Sequence, residues 1–270
     1  MNAATTATAI AIVLSFIWNS SSADDPAAKK PTRKPVKLPG MVIDFEKRCV
    51  DLEGAICLEE GCLELIACRK GSKEHESIVA LSAKAMHIHT GLLLLGANNG
   101  NPAMRKPVDE EKTRWVNVRP RGDPIDVFLV TTNKGGKAIE RPISDFIVRS
   151  SERVDEVDGA VITAPNQTEK RGDEKEARLP HTFLFAGSHL RDNGPGARQY
   201  LAELSGNVIS IATFGDELLC LPFHQTQKND ALMWQVKPGS LPEVGTKVTL
   251  RLRPSKGKSS NKDNRNGNKP

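Results

Sequence analysis

Residues 247–253 read Lys-Val-Thr-Leu-Arg-Leu-Arg. Val248, Leu250 and Leu252 alternate with Lys247, Thr249, Arg251 and Arg253, and on an extended chain side chains two apart share a face. One face is apolar and the other polar or charged, so the stretch predicts a half-buried strand of an antiparallel sheet. Working outward, Ile125 to Thr131 is β-branched and apolar, Asn133-Lys-Gly-Gly-Lys137 supplies a turn, and Ala138 to Ile143 answers as a partner strand. Val42–Leu52, a turn at Glu53-Gly54, Ala55–Leu58, a second turn at Glu59-Glu60-Gly61 and Cys62–Cys68 together read as a meander. Ile78–Leu81, Thr182–Ala186, Gln199–Leu204, Val208–Phe214, Leu218–Phe223 and Leu232–Val236 add further strand candidates. Ala83–Leu95 is the helix candidate: it is rich in helix formers, ends at Gly96, and carries apolar residues on more than one face, which predicts burial. The fold class expected is α+β, predominantly antiparallel β in meanders and hairpins, with one principal buried helix near 83–95. No internal repeat is apparent.

The two ends have a different character. Ala7 to Trp18 is uncharged and mostly apolar, but a dozen helical residues reach about 18 Å, short of the ~30 Å of a bilayer core. Small residues at Ser21-Ser22-Ala23 precede Asp24-Asp25, so residues 1–23 read as a secretory signal peptide cut after Ala23, although no Lys or Arg precedes the apolar run. Residues 24–40 form a basic, proline-rich linker, and 254–270 a basic, polar, disordered tail. The arms carry charges of +3 (residues 1–40) and +4 (254–270) of the chain's +5, which leaves −2 for residues 41–253. The body is mildly acidic, which argues against a nucleic-acid face on it. The core must lean on Leu, Ile and Val, since the chain holds eight Phe, three Trp and one Tyr. Residues 164–180 read as a polar, mobile insertion.

Five cysteines occur, at 49, 57, 62, 68 and 220. In an exported chain disulfides become available. If Leu58–Gly61 closes a hairpin, Cys57 and Cys62 lie opposite each other at a span that a disulfide bridges; buried free thiols are the other reading. No C-x-x-C pair is present, which removes thioredoxin-type chemistry and zinc ribbons. Lys73-Glu74-His75-Glu76-Ser77 sets a histidine between two carboxylates, which favour its protonated form. His87-Ile-His89 has a spacing used by metal sites, but on a helix these positions diverge by 200°, and one ion could not easily take both. A zinc site from His75, His87, His89 and Cys68 is therefore the secondary reading, and a polar binding or structural cluster of Glu74, His75, Glu76, His87 and His89 the primary one. No G-x-S-x-G, P-loop, H-E-x-x-H or G-x-G-x-x-G motif occurs. Ser188-His189 are adjacent, face opposite ways on a strand, and make no nucleophile–base pair. The triplets Arg121-Gly-Asp123 and Arg171-Gly-Asp173 read as turns.

Cys57-Leu-x-x-Gly61, Leu63-Glu64, Lys73-Glu-His-Glu-Ser77, His87-x-His89 and the Leu92–Gly96 run resemble the core of the YdjY-type domain family of exported bacterial proteins. Phe185-Ala-Gly-Ser188, Tyr200-Leu-Ala-Glu203 before Gly206, and Val208-Ile-Ser-Ile211 before Phe214 are similar to it as well, so the resemblance runs from about 42 to 253. Where family members read Trp ahead of the Phe-x-Gly-Ser stretch, this chain has Pro180-His181-Thr182. The resemblance implies Glu74, His75, Glu76, His87 and His89 as the residues a site would use, and attaches no catalytic role to any. The expectation is an exported, periplasmic or extracellular, non-enzymatic binding or scaffolding module without a cofactor; its partner is unknown, with a protein or an envelope polymer as the candidates. The alternative is a zinc-dependent hydrolase built around His75, with Glu74 or Glu76 as general base.

Overall fold

The computed structural model describes residues 33–133, 135–150, 178–192, 194–225 and 234–255. The signal-peptide segment, most of the linker, the insertion (but for its last three residues), the second Arg-Gly-Asp triplet and the tail from residue 256 on lie outside them, while Pro254, read as tail, ends β19. In chain order the first strands are β1 (Val36–Leu38), β2 (Met41–Asp44), β3 (Cys49–Ile56), β4 (Leu65–Arg69) and β5 (Ser77–Leu81). Helix α1 (Ala85–Leu94) follows, then β6 (Asn99–Asn101), β7 (Met104–Pro107), β8 (Trp115–Val118), β9 (Arg121–Gly122), β10 (Pro124–Thr132), β11 (Ala138–Pro142) and β12 (Ile147–Arg149). The last part holds β13 (Thr182–Phe185), β14 (Leu190–Arg191), β15 (Gln199–Tyr200), helix α2 (Leu201–Ser205), β16 (Asn207–Ser210), β17 (Leu219–Cys220), β18 (Trp234–Val236) and β19 (Lys247–Pro254).

Eight strands close on themselves in the order β3-β19-β10-β13-β17-β16-β4-β5 and back to β3. All neighbours are antiparallel except β4–β5 and β16–β17. The alternating stretch that suggested a sheet is β19, one of its longest strands, held between β3 and β10. Its apolar side chains build the interior in rows: Leu52, Leu250 and Leu129 lie side by side across three strands, and so do Val50, Leu252 and Val127. All six are fully buried. Its outward side carries a charged row instead. Arg251 holds both carboxylate oxygens of Asp51 on β3, at 2.6 and 2.7 Å, and reaches Glu140 on β11 at 2.6 Å. Arg253 also binds Glu140, and these two guanidiniums, Arg253 foremost, hold the Glu140 carboxyl below its usual range.

The β-rich, mostly antiparallel character agrees with the expectation; closure into a barrel goes beyond it. Three local readings change. Gly54 is not a turn but the interior of β3, where a Cβ would sit 2.5 Å from the Val79 side chain on β5. The turn lies earlier, where Asp44 Oδ1 accepts the N–H groups of Glu46 and Lys47 and Arg48 takes a positive φ. Residues 36–38, read as linker, pair with β2. Residues 201–204, read as part of a strand Gln199–Leu204, belong instead to α2, which Gly206 ends in the left-handed conformation that glycine adopts freely.

Helix α1 presents Ala85, Ile88, Gly91 and Leu92 to the core. Gly91 meets Met41, Ile43 and Val50, so the smallest residue stands where helix and strands approach closest. Gly96 turns the chain away at φ 86°. In the first Arg-Gly-Asp triplet, a Cβ on Gly122 would fall 2.0 Å from the Phe185 carbonyl oxygen, and Asp123 accepts the Asn98 N–H at 2.8 Å. That triplet is a packing device between β9 and β13.

Candidate functional site

The Lys73–Ser77 motif forms a single 3-10 turn, Glu74–Glu76, that leads into β5. Glu74 accepts the Gly71 N–H at 2.8 Å and so closes the crossover from β4. His75, expected at the centre, points to solvent: its side chain is 79% exposed, with Nε2 3.7 Å from a Glu76 oxygen. The centre is Lys73. Its ammonium lies 3.2 Å from Glu76, 3.8 Å from Glu64, and 3.7 Å above the ring of Phe214, where the face of an aromatic ring attracts a cation. Glu64 is buried, and its backbone carbonyl accepts the N–H groups of Ile211 and Ala212. Burial, then the neighbouring Glu76 charge and a hydrogen bond with Glu76, push the Glu64 carboxyl up to about 6, with Lys73 opposing.

His87 and His89 both sit on α1 and go separate ways, as the helical turn dictates. His89 Nδ1 is 2.8 Å from the Tyr200 hydroxyl, and its ring stands edge-on to Phe185 and Tyr200. The Tyr200 hydroxyl donates to the Gly187 carbonyl at 2.9 Å, so its oxygen accepts from His89 and the imidazole proton belongs on Nδ1. Burial lowers the His89 pKa, which keeps the ring neutral. His87 Nδ1 is buried without a partner. Of the residues named from sequence, the structure joins Glu76 to Lys73 and leaves His75, His87 and His89 apart. Among the described residues no three His, Cys, Asp or Glu side chains are grouped to hold a metal ion, so the zinc set does not fit.

All five cysteines are free thiols, and the expected hairpin that would set Cys57 opposite Cys62 does not form. β3 and β4 are not neighbours; β5 lies between them. Cys62 forms a bridge with Gln235, while the Cys57 N–H bonds to the Ile78 carbonyl. The Cys57 side chain instead packs in a small cluster with Cys68, Leu65, Ala80 and Phe214, separate from the main core.

Phe214 is thus shared by the thiols and by Lys73. It is held by Glu217, a fully buried carboxylate that accepts the N–H groups of Phe214 and Gly215. Its surroundings open into a cleft of about 870 Å³. One wall is the hairpin β7–β8, with Met104, Arg105, Asn117 and Val118, continued by Arg119 and Pro120; the other is Thr213–Gly215 with Pro222, Phe223 and His224. Arg105, Arg119 and His224 therefore line the same cleft as Phe214 and Phe223, with the Arg105 guanidinium over the ring of Trp115 at 5.8 Å. The sequence reading missed this cleft. Its two walls are about a hundred residues apart, and the one local signal was the run Met104–Val118, whose turn Asp109 organises by accepting the N–H groups of Thr113 and Arg114. Glu64 did leave a trace, as the charged residue inside the apolar run 62–68.

No match was found among curated proteins or among solved structures. The YdjY domain matches residues 41–253, from the start of β2 to Arg253 in β19, and so takes in the barrel, the Lys73 cluster and both walls of the cleft. The chain belongs to the YdjY domain family.

Proposed function

We propose that this protein is an exported, non-enzymatic binding module whose ligand combines an anionic group with an apolar or aromatic part. The single observation that carries the reading is the cleft beside Phe214. Its volume, about 870 Å³, falls in the range of small-molecule sites, and Arg105, Arg119, His224, Phe214 and Phe223 all line it. A guanidinium binds a carboxylate, phosphate or sulfonate through paired hydrogen bonds, and a half-exposed ring such as Phe223 gains from covering its face. The export reading rests on the apolar segment and small residues of positions 7–23.

8-Anilinonaphthalene-1-sulfonate, an aromatic sulfonate, is a direct probe of this chemistry. The full chain should bind it saturably at one site in native buffer. The variants Arg119→Glu and Phe223→Ala should weaken binding at least fivefold, and His75→Ala should leave it unchanged. Unsaturable binding, or equal affinity in all four proteins, would sink the assignment.

A further inference from the structure

Hairpin β7–β8 is a sheet of its own beside the barrel, and among the described residues neither strand has a second neighbour. Its hydrogen bonding shows which backbone groups are free. The Val108 N–H bonds to the Arg114 carbonyl at 2.9 Å, so these two residues turn toward each other across the ladder. In an antiparallel pair, residues facing the partner strand alternate with residues facing away. Lys106 with Val116, and Met104 with Val118, therefore also turn inward. Arg105 and Pro107 on β7, and Trp115 and Asn117 on β8, turn their N–H and C=O groups outward. The outer edge of β7 is blunted, because Pro107 has no N–H and Arg105 and Lys106 charge the strand. β8 has no such guard. It reads Trp-Val-Asn-Val, without charge or proline, and Trp115 and Val116 are 45% and 49% exposed.

We infer that the free edge of β8 pairs with the same edge of a second copy of this chain, antiparallel, about a two-fold axis at Val116. The register follows from the outward groups. With Val116 opposite Val116 of the second copy, Trp115 stands opposite Asn117 and Asn117 opposite Trp115, so every outward residue of β8 meets an outward partner. A slip of one residue would set outward groups against inward ones. A slip of two toward the base would need Arg119, whose carbonyl already accepts the Asn101 side chain, and a slip of two toward the turn would need Thr113, whose N–H is held by Asp109. The chosen register also suits the side chains. The two Val116 residues meet at a position without hydrogen bonds, where side chains approach closest, and Arg114 faces Val118 rather than another cation. Antiparallel pairing carries the turn of each hairpin, with Asp109, Glu110 and Glu111, toward the base of the other, with Arg119 and Arg121. That self-complementary charge fits a copy of the chain and disfavours an anionic polymer, which the acidic turn would repel. A seam of four residues per copy is short of the about 1,200 Å² that stable complexes bury, so the dimer is weak and forms with rising concentration.

Sedimentation equilibrium of the full chain from about 1 to 500 µM reads the association directly, and a monomer–dimer equilibrium is expected. Asn117→Pro removes one outward N–H and leaves the hairpin's own ladder intact, as Pro107 does on β7. It should weaken the dimer about tenfold or more. Val116→Lys sets two ammonium groups against each other at the axis and should do the same, which keeps the test open if the proline variant folds poorly. Cross-linking checks the register. Opposed Cα atoms at such a position lie about 4.5 Å apart, within the span of a disulfide, so Val116→Cys should give a covalent dimer under mild oxidation. Val108→Cys, equally exposed but at the turn, should not, and neither should the parent chain. A monomer at every concentration, a dimer indifferent to both Asn117→Pro and Val116→Lys, or Val108→Cys cross-linking as readily as Val116→Cys would each overturn the assignment. So would capture of an extended peptide on β8 by a chain that stays monomeric, which would give the edge to a foreign strand.

Discussion

Glu64 shows how one carboxyl sets a pH response. Its pKa in the fold, about 6, exceeds that of an exposed glutamate, so between about pH 4.5 and 6 the folded chain binds more protons than the unfolded one. Stability from this group is therefore intact below that window and declines as pH rises through it, by about 1–2 kcal/mol in all. Glu64→Gln stays neutral throughout. In urea unfolding, the variant should gain that amount relative to the parent between pH 4 and 7; a difference that stays flat with pH would contradict the assignment. The same residue shows what a sequence can and cannot display. The Lys73–Ser77 motif marked the right turn, but its composition favoured His75, and the histidine turned outward. The second carboxylate beside Lys73, Glu64, is nine positions upstream, brought alongside by the parallel pairing of β4 with β5, where Leu65 stands opposite Ser77.

At the scale of elements, the legible pieces were those with local periodicity or a local stop. Strand β19, the hairpin β10–β11 and helix α1 with its Gly96 terminus all follow from neighbours in the chain. What ties elements together was not legible, and α2 is the example. One oxygen of Glu203 accepts the Ala85 N–H at 2.6 Å, satisfying a free donor at the start of α1, and the other takes Arg69 of β4 at 2.7 Å. No residue of α1 caps its own beginning. This explains why a five-residue helix forms where a strand was expected: Leu-Ala-Glu-Leu-Ser has helix formers, Ser188 Oγ accepts the Ala202 N–H, and Glu203 gains two distant partners. Glu203→Ala should cost about 1–2 kcal/mol in chemical denaturation, and Glu203→Gln, which keeps an acceptor for Ala85, should recover about half of that. Equal losses in the two variants would show that Ala85 gains nothing from the contact.

For the whole molecule, the decisive event is the meeting of β3 with β5, which turns a sheet into a barrel. Gly54 permits it. A Cβ there would meet Val79, the Ala80 carbonyl oxygen at 3.0 Å and Leu81 at 3.2 Å, so the seam closes on a residue without a side chain. Glycine in a strand interior is ordinarily replaced by alanine with a gain of about 0.5–1 kcal/mol. Here Gly54→Ala should instead destabilise by about 2–3 kcal/mol, as overpacking does, and amide exchange should quicken first in β5. A stabilised variant would mean that the seam is loose. Closure could not be read from the sequence, because Gly54 carries the same letter as a turn glycine and its neighbours on β5 lie twenty-five or more residues away. A closed ring has no first or last member, so among the described residues the end strands of this eleven-stranded sheet are the two flanking additions, β1 and β11. Both are short; Lys37 and Pro142 lie on them, a charge and a missing N–H of the sort that discourage strand addition. A protein seeking to extend this sheet from its described end strands therefore finds two narrow, guarded docking rails, which directs recognition toward side chains.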